Sequence, residues 1–521
     1  EKSMPFDLPD SLKEKQLELR AFLDEEIAPI VDEYESKGPL SYEENLAMFA
    51  KLVPHGFIRS FSPTSVGGTG TTYLERAVMA EELGRVWGAL AVTVDTHAGV
   101  IEMISRYGTK EHKKKWAEPG VLGKNLASDM VSEPQAGSDQ TNLQTTATLD
   151  GDHYILNGEK MWITNGTYAD VGIVTAVVDT EAYAANPMTG VISIIVDRHE
   201  SPWKVRDIPF LGCIGGNTGH VVFDNVRVPK ENLLHGADQG YKHQLVARSW
   251  FRVNIAAMAI GGMQAALEDS IAYAKQREAF RQPIAGFQLV QELISDMAMD
   301  TDILRLLVYR ASCLLDKGVR SEVEQCMTKI FSGEAGVRVS HKAIQIFGAR
   351  GLTTEEGYRT ERYYRDSVMN GVGEGTTQIL KLVIGRKLTG VQAFMNLSLM
   401  APPALQHVPV DSKVKVVDII DALPTSYVPE KIAGVNASIA YDISGSAGGQ
   451  WTVTIKDGGV NVSEGLNGDV KATVAVADAD YVDIATGQLD GTAAFMQGKI
   501  QVQGDMMFMS SFLKMFKPYS A

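Results

Sequence analysis

Ser132-Glu133-Pro134-Gln135-Ala136-Gly137-Ser138-Asp139, followed further on by Lys160-Met161-Trp162-Ile163-Thr164-Asn165-Gly166, lies in a segment unlike the rest of the chain. From Asn125 to about Glu231 the chain reads as short strands. Thr145-Thr146-Ala147-Thr148-Leu149, Tyr154-Ile155-Leu156, Val171 to Val178, Val191 to Val196 and Val221-Val222-Phe223 are β-rich, and Asp150-Gly151-Asp152 and Asn157-Gly158 are turn sequences between them. An all-β module over residues 124–235 is expected. Alone, the two runs name no function: Glu-Pro and Gly-Ser-Asp are ordinary turn chemistry, Trp162 suits a half-buried position and Thr164 a helix cap.

Both sides of this module are helical. From Ser11 to about Gly123, Leu12, Leu19, Phe22, Leu23, Ile27 and Ile30 keep close to a 3.6-residue period, so residues 1–123 form an expected N-terminal helical domain. Its one Gly-rich loop, Val66-Gly67-Gly68-Thr69-Gly70, follows no strand and lacks phosphate-binding spacing, and reads as a connector. Asn254 to Ala274, Gln288 to Asp316 and Glu322 to Phe347 are long, Pro-poor helical stretches, giving a bundle over 236–398. Met400-Ala401-Pro402-Pro403 through Pro409-Val410-Asp411 has no periodicity, so 399–411 reads as a linker. Beyond it, 412–521 mixes an amphipathic helix at Val414 to Leu423 with alternating strands at Trp451, Val453 and Ile455 and at Val470 to Val476. That pattern predicts a separate small α+β domain.

Composition narrows the function. The chain has 521 residues, long enough for three or four domains. Its 49 Lys plus Arg against 64 Asp plus Glu leave a net charge of −15, which repels phosphate backbones, so no nucleic-acid partner is expected. Three cysteines (Cys213, Cys313, Cys326) form neither a disulfide framework nor a metal motif, and His97, His112 and His341 lack partners at metal spacing, so no metal is expected. No apolar stretch approaches the ~18 residues of a membrane span, and residues 1–10 lack an apolar signal core. A cytoplasmic protein, bacterial in origin, is the expectation, although a processed organellar import signal leaves no trace.

Two further runs carry chemistry: Arg277-Glu278-Ala279-Phe280-Arg281-Gln282-Pro283-Ile284 with Gln288 beyond, and Arg365-Asp366 followed by Glu374-Gly375-Thr376-Thr377-Gln378-Ile379. Each has a plain reading: Arg277 as an exposed helix charge, Glu374 as a carboxylate favoured at a helix start. Their order and separation within a helix–β–helix layout are another matter. Over about residues 5–395 the chain resembles the acyl-CoA dehydrogenase family, whose fold is an N-terminal helical domain, a middle β-barrel and a C-terminal four-helix bundle. Residues 411–521 resemble the sterol-carrier-protein-like family of small α+β lipid-binding domains, through Gln450-Trp451-Thr452-Val453, Asp457-Gly458, Gly487-Gln488-Leu489-Asp490-Gly491 and Ala494-Phe495-Met496-Gln497-Gly498-Lys499-Ile500. There Met506, Met507, Met509, Phe512 and Phe516 suit either an apolar lining or plain core.

The resemblance implies FAD as cofactor and an acyl-CoA thioester as substrate. It places Val131, Ser132, Ser138, Trp162 and Thr164 around the flavin, with Ser138 also beside the substrate. It places Arg277, Phe280, Gln288, Gln345 and Gly348 on the dinucleotide across a subunit interface, and Thr376 and Gln378 just after the catalytic loop. A homodimer or homotetramer follows, with electron-transfer flavoprotein as electron acceptor. Glu374 matches the catalytic base. The position from which some members supply the base instead is Phe251, which has no carboxylate, and Arg252 beside it is expected to support the Glu374 loop. A carboxylate in a dry site is strengthened as a base for an α-proton. The developing thioester oxyanion needs donors, which the resemblance assigns to the Glu374 backbone N–H and a flavin ribityl hydroxyl.

Several positions depart from the family pattern. Gly373 stands where a bulky aromatic is common, and Gly371, Gly373 and Gly375 make the loop bare. Asp129 replaces a larger residue, Ala279 lacks a hydroxyl, and Arg350 to Tyr364 is slightly long. Gly373 and Gly375 thus border the acyl group, and a bulky or cyclic acyl group is expected, unless Tyr363 or Met369 swings into the space. The rival readings are an acyl-CoA oxidase or enoyl-CoA reductase on the same fold, and a non-catalytic lipid or acyl-CoA carrier.

Overall fold

The computed structural model describes residues 8–187, 189–234, 240–355, 357–391 and 415–486, with scattered residues from 489 to 519. The 399–411 linker and Met506, Met507 and Met509 lie outside the described residues. The chain divides into two compact units, Glu1–Phe394 and Met395–Ala521.

The first unit opens with helices α1 (Asp10–Glu26), α2 (Ala28–Lys37), α3 (Tyr42–Leu52), α4 (Tyr73–Val86) and α5 (Gly88–Tyr107), then short turns α6 (Lys110–His112) and α7 (Glu118–Val121). The apolar stripe of α1 buries Leu19, Leu23 and Ile27 against Phe49 of α3, Leu83 of α4 and Trp87. The helix α3 starts with a reciprocal capping box, Ser41 with Glu44.

Strands β1 (Ala127–Met130), β2 (Thr146–Asp150), β3 (His153–Thr164) and β4 (Val171–Val177) follow, then helix α8 (Thr180–Ala185) and strands β5 (Val191–Asp197), β6 (Lys204–Asp207) and β7 (Thr218–Pro229). Among the described residues they form one seven-stranded sheet in the order β1-β4-β2-β3-β7-β6, with β5 on β4. β4 and β5 are buried along their whole length, which explains their unbroken Val/Ile runs. Two strands have no sequence signature: β1, Ala-Ser-Asp-Met, has no alternation, and β6, Lys-Val-Arg-Asp, is a charged edge strand.

Helices α9 (Gly240–Gln276), α10 (Gln288–Asp316) and α11 (Glu322–Phe347) build the bundle, with the two-residue strands β8 (Glu278–Ala279) and β9 (Gln282–Pro283) between α9 and α10. Their common core is Val253, Ile260, Met297, Leu304, Val308, Val339 and Ala343. Helices α12 (Thr360–Met369) and α13 (Thr377–Thr389) pack on α11, and the loop between them carries Glu374.

The second unit has helices α14 (Val416–Ala422) and α15 (Pro429–Ile432), strands β10 (Ala437–Ser444), β11 (Gly449–Lys456), β12 (Gly459–Glu464) and β13 (Ala472–Ala477), helix α16 (Asp478–Ala485) and strand β14 (Ile500–Gly504). The sheet order is β12-β11-β10-β13-β14, with β10 and β13 parallel. Its core holds Ile419, Ile439, Val453, Val474 and Phe512, so Phe512 is core of this unit.

Candidate active site

Val131 and Ser132 leave β1 and enter the Glu133–Asp139 turn, where Glu133 and Ala136 exchange both backbone hydrogen bonds at 3.0 Å. A buried ion pair pins this turn to β3. Lys160 Nζ donates to Glu133 Oε1 at 2.7 Å and to the Val131 carbonyl at 2.9 Å, and both side chains are out of solvent. The Ser132 carbonyl accepts from the Met161 N–H at 2.9 Å. Burial by itself would lift the Glu133 carboxyl, but Lys160 and the N–H groups of Gln144 and Thr145 outweigh it and hold the group below the usual carboxylate range. Ser138 is exposed, beside a Gly137 with open space around it.

The pairing of β3 with β7 shifts register between Lys160 and Ile163, a bulge that re-aims the intervening side chains. Trp162 there takes φ +65° and stands 51% exposed, edge-on to Phe210 at 6.0 Å. Thr164 lines a small pocket with Thr93, Phe210, Cys213 and Met369, which brings the β-module face against the end of α12. The Arg365-Asp366 pair holds that junction: Asp366 Oδ1 accepts from the Cys213 N–H at 2.5 Å, and burial lifts its carboxyl to about 6.

Glu374 itself has φ +53°, followed by Gly375 at +97°. Met369 O accepts from the Gly373 N–H at 3.0 Å and Gly371 O from the Thr377 N–H at 3.1 Å, closing the loop tightly. Thr376 caps α13 through Oγ1 to the Ile379 N–H at 3.4 Å, and Gln378 is exposed on its first turn. A Cβ at the exposed Gly373 would meet only the Met369 carbonyl, at 3.8 Å, whereas one at Gly375 would press on Leu380 Cδ2 at 3.1 Å, so the space is at Gly373 and not along the whole loop. Tyr363 does not fill it: its hydroxyl donates to Asp269 Oδ2 at 2.9 Å within the bundle. Met369 faces the Thr164 pocket.

The support of this loop is a lysine that sequence reasoning missed. Lys329, buried in α11, donates to the Asn370 carbonyl, and its ammonium is depressed to about 8 by burial, against the opposing pull of Glu374. Arg252 lies beside it, with Nη1 3.8 Å from Cys326 Sγ and Nε unpartnered. Among the described residues the side-chain contact of Arg252 is to Cys326 on α11, and the hydrogen bond that supports the loop comes from Lys329. Asp95 on α5 is a second missed group, buried within the field of Glu374. A lysine or aspartate inside a helical pattern reads as surface, and only the helix crossings reveal otherwise.

The remaining expected cofactor residues lie elsewhere. Arg277 closes α9, Phe280 is 90% exposed at φ +51°, Gln288 opens α10, and Gln345 and Gly348 end α11. These positions share one end of the bundle: Tyr273 stacks on Phe347 at 4.1 Å and Phe280 meets Phe287 at 6.0 Å. Arg277 is 25 residues along α9 from Arg252, about 37 Å at 1.5 Å per residue. Gly348, at φ +64°, has open space where a side chain would be.

Family comparisons fit this geometry. Residues 10–124, 128–226 and 238–389 match the N-terminal, middle and C-terminal domain models of acyl-CoA dehydrogenase. The chain belongs to the acyl-CoA dehydrogenase family. Residues 418–517 match the SCP-2 sterol transfer family. A Bacillus subtilis (strain 168) protein named probable acyl-CoA dehydrogenase YngJ is 35% identical over 391 residues, 74% of this chain and 100% of the relative. The caffeyl-CoA reductase–Etf complex subunit CarC of Acetobacterium woodii is 33% identical over 374 residues, 71% of this chain and 96% of its own. Among solved structures, a glutaryl-CoA dehydrogenase from Mycobacterium smegmatis in complex with FADH2 is 27% identical, with a TM-score of 0.69 over 74% of this chain and 97% of that one.

Proposed function

We propose that this protein removes the α-proton of an acyl-CoA thioester with Glu374 while the β-hydride leaves to FAD, an α,β-dehydrogenation. The carrying observation is the Glu374 loop, an exposed carboxylate on strained backbone beside Gly373, in the loop that follows Met369 of the Thr164 pocket. The described residues fit a flavin: an outward Trp162 ring, an open pocket bounded by Thr164 and Met369, and the Val131-Ser132 backbone clamped from behind by Lys160. FAD, when bound, supplies the hydride acceptor. The chain's own residues do the rest. Glu374 takes the proton onto its carboxylate, and its backbone N–H would donate to the thioester oxygen. Lys329 holds the Asn370 carbonyl and so fixes the loop.

Arg252 and Arg277 stand about 37 Å apart along α9, so the Glu374 loop and the Arg277 cluster lie at different levels of the bundle. Arg277, Phe280, Gln288, Gln345 and Gly348 would therefore serve the flavin of a second copy, in a homodimer or homotetramer. The CarC relative, named as a subunit of an Etf complex, supports electron-transfer flavoprotein as the acceptor. The open space at Gly373 supports a bulky or cyclic acyl group. Anaerobic mixing of the yellow holoenzyme with linear, branched, dicarboxylic and cyclic acyl-CoAs tests this reading: flavin bleaching is expected, strongest with cyclic chains. No bleaching with any thioester would refute it.

A further inference from the structure

The loop that carries Glu374 rests on one turn of α11. Lys329 and Gly333 stand four residues apart on the same face of that helix. Lys329 Nζ donates to the Asn370 carbonyl, and the residue is 0% exposed. A Cβ at Gly333 would lie 2.9 Å from Asn370 O and 2.9 Å from Gly371 Cα, so the backbone of the loop lies directly on the helix there. The loop is closed further on by the Thr377 N–H on Gly371 O at 3.1 Å and the Gly373 N–H on Met369 O at 3.0 Å.

Holding a carbonyl does not require a charge. A neutral amide or hydroxyl donates as well, and burying an ammonium without a counter-ion is costly. Among the described residues Lys329 nevertheless makes no ion pair. Burial pushes its ammonium down to about 8, and the carboxylate that opposes this is Glu374. The other groups facing this place bring no negative charge at neutral pH. Arg252 on α9 is a second cation, the Cys326 thiol on α11 is pushed up by burial, and Asp95 on α5, lifted to about 8 by burial, keeps its proton. The exposed Glu374 is therefore the counter-charge of the buried ammonium. A thioester over Glu374 would strip water from the carboxylate, which favours its protonated form, and a protonated Glu374 removes no proton. A cation beneath the loop works against that.

We propose that Lys329, seated with Gly333 under the loop, is a positioning residue that keeps Glu374 both in place and ionised when a thioester covers it. This rests on the reading of Glu374 as the base of an acyl-CoA dehydrogenase and deepens it.

The test is anaerobic stopped-flow bleaching of the full-length holoenzyme by saturating hexanoyl-CoA and cyclohexanecarboxyl-CoA, from about pH 6 to 9.5. Lys329→Met should move the acid limb of the bleaching rate up by about one unit, about a tenfold loss along that limb. Well above pH 8 the variant and the wild type should converge, because wild-type Lys329 is then neutral too. Lys329→Arg, which keeps the charge, should leave the limb in place. Gly333→Ala displaces the loop without touching the charge, and should slow bleaching by one factor at every pH. A methionine variant slowed equally at every pH would reduce Lys329 to a structural contact and overturn the proposal. So would a limb that moves as far in the arginine variant. A second measurement leaves Lys329 intact. In an Asp95→Asn background, which removes the other carboxyl titrating in this range, the stability lost in urea through Glu374→Gln should be larger at about pH 6.5 than at about pH 9. The attraction vanishes as Lys329 gives up its proton. An equal loss at both pH values would overturn the proposal, whether or not the Lys329 variants fold. Failure of every thioester to bleach the wild-type flavin, with the urea difference intact, would instead overturn the dehydrogenase reading itself.

Discussion

Glu374 and Gly373 are neighbours with opposite requirements. Glu374 holds a left-handed backbone that a non-glycine residue adopts at a cost, and such strain persists where the surrounding loop over-determines it. Gly373 shows no positive φ, so a side chain is conformationally allowed there and only space decides. The Glu374→Gln variant keeps shape and removes the base. Turnover should fall by about 10²–10⁴-fold while the protein stays yellow and still binds acyl-CoA, as steady-state rates and flavin absorbance would show. Gly373→Tyr fills the open space, and kcat/KM should drop more for a cyclic acyl-CoA than for a linear one; an equal drop would mean the space is not part of the acyl pocket. Glu374 was legible because its local sequence is distinctive. Asp95 and Lys329 were not, since each is an ordinary charged letter in a helix until α9 and the 370–374 loop cover it.

At the scale of elements, the β-module depends on two buried polar contacts that its strand pattern does not announce. Among the described residues Lys160 on β3 is the sole charged partner of Glu133, and removing one member of a buried pair strands the other, at about 3–5 kcal/mol. Lys160→Met should lower the melting temperature and loosen FAD retention together, because the Val131 carbonyl loses the same ammonium; gel filtration at low flavin would show the loss. His97 ties α5 to β1: its Nδ1 accepts the Ala127 N–H at 3.1 Å, so Nε2 donates to the Gly120 carbonyl at 3.0 Å. Burial pushes the ring down to about 4 from 6.5. A depressed group contributes stability that is complete above pH 6.5 and lost as pH falls towards 4, about 3 kcal/mol in all. Asp95, lifted from 3.8 to about 8, slopes the other way over the same range, so the wild-type profile alone masks both. The stability deficit of His97→Asn against wild type should therefore shrink as pH falls from 7 to 4, read by urea unfolding. The long helices α10 and α11 were legible to the residue because their apolar period is unbroken; β1 and β6 were not, because an edge or a junction needs no alternation.

For the whole molecule, the decisive fact is that each compact unit closes its own core. The first, Glu1–Phe394, buries the helical, β-sheet and bundle clusters described above. The second, Met395–Ala521, buries Ile419, Ile439, Val453, Val474 and Phe512 under a five-stranded sheet in which β10 is central and paired on both sides. A unit with its own core and satisfied sheet does not need a covalent neighbour to fold. The break was visible in the sequence as three prolines and a lost period, since a linker is recognised by what it cannot form. A chain ending at residue 394 should therefore remain soluble, yellow and active, with kcat on a good acyl-CoA substrate within about twofold of the full chain, the scatter expected when no reacting group is touched. All the proposed catalytic and flavin residues, Val131 through Gln378, lie inside that span. If the shortened protein is colourless or aggregates, the second unit completes the enzyme; if kcat holds but KM for poorly soluble long or cyclic thioesters rises, the second unit acts on substrate supply.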